Sequence, residues 1–349
     1  SLALIGGANL QQEVTTMAQH ILSARQFSIG MVENIFQTAL KMEKMLVTGL
    51  KPMPTREGIV ILFFQRSTRT HATFEIAAKE LEIPIIYSTQ AADQFSSVAK
   101  GESLADTVHL FAGFPHVKVI VIRHPQEYSA QEAAEIANQY GVSIINAGDG
   151  TNEHPTQALL DLYTIKKRKP PEKSMEDLKI VVANDIEYSR TIRSLLILFG
   201  SVYGPKEVGI CAPKGIYLPE DIRSELLREG IQIASFRDLN DAVHWGDFLY
   251  MTRPQIEYYA RDITNEEEKK KKIKEIEAKF QGFRITKDFM DRLSPDCKCL
   301  IMHPMPIDTL HFNEITPDAR KHPRCIFFEQ ATNGIPIRMA LLKELFEEK

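Results

Sequence analysis

Apolar and polar residues follow two rhythms along this chain. Short unbroken apolar runs, rich in valine and isoleucine, recur between longer segments whose apolar residues return every three or four positions. The runs GIVILFF, IPIIYS, VKVIVIR, VSIINAG, LKIVVAND, EVGICAP, GDFLYMT, KCLIMHP and RCIFFEQ read as strands. An apolar run without alternation suits a strand covered on both faces, as in a parallel sheet. The segments FEIAAKEL, SLADTVHLFAGF, SAQEAAEIANQYG, HPTQALLDLYTIKKR, SRTIRSLLILFG, PEDIRSELLREG and NGIPIRMALLKELFEEK read as helices, and so does a long opening stretch over 11–46. Strands alternating with helices predict an α/β fold with parallel sheets. Residues 166–178, charged and proline-containing, read as a surface connection between two halves. Residues 265–280, NEEEKKKKIKEIEAKF, read as a solvated helix whose acids precede its bases at favourable spacings.

Composition narrows the class. With 349 residues and 44% hydrophobic positions, the chain can bury a sizeable core, and its length suggests two domains. A net charge of −4 gives no overall bias toward nucleic acid or membrane, so any anion site must be local. No secretory leader and no apolar run of membrane-spanning length is legible. Cys211, Cys297, Cys299 and Cys325 lack zinc-site spacing and read as free thiols of a reducing cytoplasm.

The chemistry is concentrated where strands end. RSTRTHATFE, residues 66–75, packs arginines and hydroxyls into the turn between GIVILFF and the next helix. Ligands of α/β sheets sit beyond the carboxyl ends of strands, where helix N-termini offer unpaired N–H groups. Ser67, Thr68 and Thr70 add hydroxyls and Arg69 adds a planar fork suited to phosphate, so the turn reads as a phosphate cradle. The alternative is an ordinary helix cap with exposed arginines. Arg123 follows another strand, as do Arg190 and Arg253 with Gln255. His154, Thr156 and Gln157 stand at a loop-to-helix start with Pro155, and HPMP leaves the carbonyls of Pro304 and Met305 free to accept. Several arginines at several strand ends imply a ligand with several negative charges. No GxxxxGK[ST] or GxGxxG run is present, which argues against a nucleotide-binding enzyme.

Taken together, FxxSTRTxxxFExA, SSVAKGESLADT, IRHPQE, NAGDGTNEHPTQALLDLYTI, YMTRPQ and HPMP resemble the aspartate/ornithine carbamoyltransferases from about residue 30 onward. MTRPQ and the absence of an HCLP loop bring the chain nearer to the aspartate branch. The resemblance implies two domains, each a mostly parallel sheet flanked by helices, joined by interdomain helices. It divides the chain into a carbamoyl-phosphate domain, 1–154 plus 328–349, and an amino-acid domain, 155–327. It implies transfer of the carbamoyl group of carbamoyl phosphate to the amine of L-aspartate, in pyrimidine biosynthesis, with no cofactor and no metal.

Carried over to this sequence, the resemblance gives the phosphate to Ser67, Thr68, Arg69 and Thr70, and the carbonyl oxygen to Thr70, Arg123 and His154. Gln157 and the carbonyls of Pro304 and Met305 would hold the amide nitrogen, and Arg190, Arg253 and Gln255 the aspartate carboxylates. Ser96 and Lys100 match residues that reach a neighbouring subunit's site, with Lys100 serving both substrates. The implied assembly is a homotrimer with shared sites, and the family also knows separate regulatory chains. Three positions depart from the family pattern: Gln65 replaces a glutamate, His71 an arginine and Ile307 another arginine. Gln65 keeps hydrogen bonding but loses charge, which bears on domain closure and acceptor choice. A carbamoyltransferase for another amino acid, or a non-catalytic relative, are the competing readings. The retained Arg253-Pro254-Gln255 favours a dicarboxylate acceptor.

Overall fold

The computed structural model describes residues 19–49, 53, 55–95, 98–309 and 312–347. Two parallel sheets organise them. The first holds β1 (Gly58–Phe63), β2 (Ile85–Thr89), β3 (Val117–His124) and β4 (Ser143–Asp149) in the order β2-β1-β3-β4. The second holds β5 (Ile180–Ala183), β6 (Glu207–Cys211), β7 (Gln232–Phe236), β8 (Phe248–Met251) and β9 (Leu300–Met302) in the order β7-β6-β5-β8-β9. All pairings are parallel. Strands β1, β4, β5 and β8 are buried along their whole length, which is why they read as largely apolar runs.

The main helices are α1 (Ile29–Thr48), α2 (Thr68–Glu80), α3 (Leu104–Ala112), α4 (Ser129–Ala137), α5 (Pro155–Arg168), α6 (Arg190–Tyr203), α7 (Glu220–Arg228), α8 (Leu239–Trp245), α9 (Ile256–Tyr259), α10 (Glu266–Phe280), α11 (Lys287–Asp291), α12 (Phe327–Thr332) and α13 (Gly334–Glu347). Helix α5 leaves the first sheet, packs on α6 of the second, and also meets α13. The last helix, α13, returns to pack on α1 and α2. Its buried face includes Ile337, Leu341 and Leu345, and a fully buried arginine, Arg338.

In the first sheet the chain steps from β1 to β2 on one side and returns to β3 on the other. In the second it steps from β5 out to β7 and returns to β8. A crevice opens at such a reversal, beyond the carboxyl ends of the two strands involved. The reversals, β1/β3 and β5/β8, are where the arginine-bearing turns lie.

Three expectations need correction. RCIFFEQ is not a strand: Cys325 makes one bridge to Ile301, and the chain then turns into α12 at Phe327. A short apolar run does not distinguish strand from helix, and here the helical turn buries Phe327 and Gln330 while leaving Phe328 exposed. The edge strand β7 has no continuous apolar run and no fully buried residue, and the hydrophobic pattern misses it. The opening helix is shorter than its pattern: its portion 11–18 lies outside the described residues, and α1 starts at Ile29 after Ser28, whose Oγ accepts the Met31 N–H. Before it, Ile21 bridges Ile145 of β4.

Candidate active site

A cleft of about 430 Å³ lies between the two sheets. Its wall includes Ser67, Thr68, Arg69, Thr70, Arg123, His154, Gln157, Arg190, Arg253, Gln255, Pro304 and Met305. Residues spread over more than 230 positions are therefore brought together. Two expected residues are not among its lining. Lys100 is exposed on a single turn, Val98–Lys100, outside this chain's cleft, and Ser96 lies outside the described residues.

The β1–α2 turn is built to receive an anion. Ser67 is the N-cap residue of α2, yet its hydroxyl makes no bond to the helix N–H groups. The first-turn donors and the positive end of the helix dipole thus stay available to a ligand. Arg69 makes no side-chain hydrogen bond or ion pair among the described residues, and burial lowers its pKa.

Arg123 is the last residue but one of β3 and is partly buried. Its Nη1 donates to the Ala147 carbonyl at 3.0 Å, while Nε finds no acceptor. Burial, then Arg190 and Arg69, push its pKa well down. Arg190, the first residue of α6, donates to the Gly150 carbonyl at 2.6 Å and to Gln65 Oε1 at 3.3 Å. Gly148 sits between the two at φ +114°; a Cβ there would lie 2.9 Å from Arg123 Nη1 and 3.1 Å from Arg190 Cζ. Only glycine admits both this backbone and this approach. The cleft thus holds three partly buried cations, Arg69, Arg123 and Arg190, that form no ion pair among the described residues, an arrangement that favours an anionic ligand.

His154 precedes α5 and donates its backbone N–H to Ser194 Oγ at 2.8 Å. Its Nε2 lies 3.4 Å from Thr70 Oγ1 and its Nδ1 3.5 Å from Thr156 Oγ1. Burial, then the charges of Arg123, Arg190 and Arg338, hold its pKa well below the ordinary value, so the ring is neutral. A neutral imidazole can still donate one N–H to a developing oxyanion. Gln157, a turn further on, donates from Nε2 to Asp161 at 2.8 Å. Burial, against three hydrogen-bond donors, pushes the Asp161 carboxyl up to about 7.

The β8 end supplies Arg253 and Gln255. Arg253 pairs with Glu257, and although burial opposes it, that partner leaves its pKa raised. Gln255 donates its backbone N–H to Asp185 at 2.7 Å and its side-chain amide to the Tyr188 carbonyl at 2.6 Å. After β9, His303 fixes the carbonyl-bearing loop. Its Nδ1 accepts the Met305 N–H at 2.8 Å and its Nε2 faces Glu314 at 3.1 Å.

The pattern along the chain did not single out Arg338, Asp161, Asp185, His303 or Tyr258. Arg338 lines the cleft, donates to Thr73 Oγ1 at 2.7 Å and lies over the Phe74 ring, and burial pushes its pKa down to about 9. A lone arginine inside the apolar run of α13 was its one visible signal. Of the three departures, Gln65 faces the cleft and binds Arg190. His71 is buried against Phe63 and Ser88, and Ile307 is buried in the second core; neither lines the cleft.

Two parallel α/β units with arginines at both chain reversals define an enzyme-like cleft for two anionic ligands. Residues 19–167 match the family model for the aspartate/ornithine carbamoyltransferase carbamoyl-P binding domain, and residues 176–345 that for the Asp/Orn binding domain. The chain belongs to this family. It is 36% identical over 330 residues to the aspartate carbamoyltransferase catalytic subunit of Methanothrix thermoacetophila, covering 95% of this chain and 99% of that one. It is 38% identical over 328 residues to that of Methanosarcina barkeri, covering 93% and 96%. Among solved structures, the catalytic subunit of M. jannaschii aspartate transcarbamoylase superposes with a TM-score of 0.75 at 35% identity, covering 94% and 98%. Aspartate transcarbamoylase of Trypanosoma cruzi, in complex with aspartate and phosphate, superposes with a TM-score of 0.81 at 30% identity, covering 94% and 97%.

Proposed function

We propose that this chain transfers the carbamoyl group of carbamoyl phosphate to the amine of L-aspartate, giving N-carbamoyl-L-aspartate and phosphate. The observation that carries the reading is the convergence of the Ser67–Thr70 turn with Arg123, His154, Gln157, Arg190, Arg253 and Gln255 in one cleft. Homologues bearing the aspartate carbamoyltransferase name support the choice of acceptor.

The amine attacks the carbamoyl carbon and a tetrahedral oxyanion develops. Thr70, Arg123 and His154, which line the cleft together, are the donors assigned to that oxygen, and one such donor is worth about 3 kcal/mol in the transition state. Phosphate leaves toward Ser67, Thr68, Arg69 and the α2 N-terminus. Gln157 with the Pro304 and Met305 carbonyls holds the amide. Arg190, Arg253 and Gln255 receive the two carboxylates of aspartate, once Arg253 exchanges Glu257 for substrate. Alignment of two bound substrates supplies much of the acceleration, with no enzyme nucleophile.

The accompanying domain division is 1–154 with 328–349 for carbamoyl phosphate and 155–327 for aspartate; the packing of α13 on α1 and α2 supports returning the C-terminus to the first half. The assembly is a homotrimer in which Ser96 and Lys100 enter a neighbour's cleft, as the exposed position of Lys100 favours. The setting is the cytoplasm, in keeping with four unpaired cysteines. Phosphate release from carbamoyl phosphate, measured with aspartate, ornithine and water, tests the reading. Release that depends on aspartate is expected; release that depends on ornithine, or on no acceptor, refutes it.

A further inference from the structure

The end of the cleft that would face the carbamoyl amide is held by a carboxylate behind it. Asp161 is fully buried on α5, one turn beyond Gln157. Its Oδ1 accepts from Gln157 Nε2 at 2.8 Å and from Gln330 Nε2 at 2.7 Å, and its Oδ2 accepts the Tyr250 hydroxyl at 2.6 Å. Gln330 passes the constraint on: its Oε1 accepts the His303 N–H at 2.9 Å, immediately before the carbonyls of Pro304 and Met305. Both walls of the amide subsite therefore hang from one anion.

A glutamine side chain has a donating end and an accepting end, whereas an ionised carboxylate only accepts. Turning the Gln157 amide over would set its Oε1 against Asp161 Oδ1, two acceptors with no proton between them. The carboxylate thus forces Nε2 inward and leaves Oε1, which makes no hydrogen bond among the described residues, as the end offered to the cleft. The neighbouring Pro304 and Met305 carbonyls are acceptors too. We propose that Asp161 is a positioning residue that fixes the polarity of this subsite, so that the subsite presents acceptors and selects an acyl phosphate bearing an NH₂ group over one bearing a methyl. The inference rests on the carbamoyl-phosphate reading above.

Carbamoyl phosphate and acetyl phosphate differ at this end alone, so their comparison isolates it. The KM for carbamoyl phosphate and the inhibition constants of acetyl phosphate and inorganic phosphate are measured at pH 8, above the value of about 7 to which burial pushes Asp161. Asp161→Asn replaces two accepting oxygens by one acceptor and one donor, and Gln157 loses its fixed orientation. The KM for carbamoyl phosphate should rise about tenfold, the size of a lost buried hydrogen bond, while both inhibition constants stay within about threefold. A structural role alone would weaken all three together, and that result overturns the proposal, as does an unchanged KM. Combining Asp161→Asn with Gln157→Glu and Gln330→Glu exchanges amide and carboxylate across both bonds of Oδ1: the new amide at position 161 donates to both introduced carboxylates, its oxygen still accepts the Tyr250 hydroxyl, the carboxylate at position 330 still accepts the His303 N–H, and the subsite again faces an oxygen. This triple variant should recover wild-type discrimination between carbamoyl and acetyl phosphate to within about threefold, and it carries the test if the single variant does not fold. Discrimination still tenfold below wild type in the triple variant overturns the proposal. A wild-type protein that releases no phosphate from carbamoyl phosphate with aspartate refutes the functional reading itself, whatever the variants do.

Discussion

Replacing Arg123 by glutamine should make the ligand-free protein more stable and the enzyme far slower. The positions of the two guanidinium groups around Gly148 place Arg123 Nη1 within about 6 Å of Arg190 Cζ. Two like charges at that separation, in an effective dielectric of about 20, repel by about 3 kcal/mol. Against this stands the bond from Nη1 to the Ala147 carbonyl, worth about 1 kcal/mol and partly replaceable by the glutamine amide. The balance favours the variant by about 1–2 kcal/mol without ligand. The catalytic consequence has the opposite sign. Loss of a preorganised donor at the developing oxyanion should lower kcat by about 10²–10³. Urea unfolding at fixed protein concentration, with and without saturating phosphate, measures the first effect, and steady-state phosphate release the second. Phosphate should stabilise the wild type more than the variant, because only the wild type has the full set of cations to neutralise. An Arg123→Gln protein that is less stable than wild type without ligand, or that retains near-normal kcat, refutes the claim that the site stores charge repulsion for its substrates.

Gly148→Ala should displace both guanidinium groups, costing about 1–3 kcal/mol of stability and at least a hundredfold in kcat/KM; wild-type kinetics in that variant would show that the close approach does not matter. Arg253→Ala should raise the KM for aspartate far more than that for carbamoyl phosphate, and equal effects on both would mean the two substrate halves are misassigned. If the proposed trimer shares its sites, mixing inactive Arg69→Ala and Lys100→Ala proteins after dissociation should restore activity, because roughly a quarter of the sites in a randomly mixed ring would pair both intact residues. A mixture that stays inactive despite demonstrated subunit exchange would remove Lys100 from the neighbour's site.

Much of this was legible from residues close together in the chain. Unbroken valine- and isoleucine-rich runs marked the central strands, because a strand covered on both faces has no polar side to alternate. The Ser67–Thr70 turn, the start of α5 at Pro155 and the arginines at the carboxyl ends of β3, β5 and β8 were visible because cap and turn chemistry is local. The edge strand β7 was not, since none of its residues is fully buried and QIASF carries no unbroken apolar run. RCIFFEQ misled because the choice between strand and helix there is made by what Phe327 and Gln330 pack against, not by their spacing.

What the fold alone decided is how the charges meet. Sequence placed arginines at strand ends, but only the two chain reversals, facing one another, put Arg123 beside Arg190 with Gly148 between them. Only the return of α13 brings Arg338 to Thr73 and the cleft. The depressed pKa values of His154 and Arg123 follow from that gathering, because burial and like charge are properties of neighbours distant in sequence. Asp161 is the clearest case: an ordinary acidic residue, one helical turn from Gln157, becomes the anchor of Tyr250 and Gln330 as well because tertiary packing points these two distant donors at it.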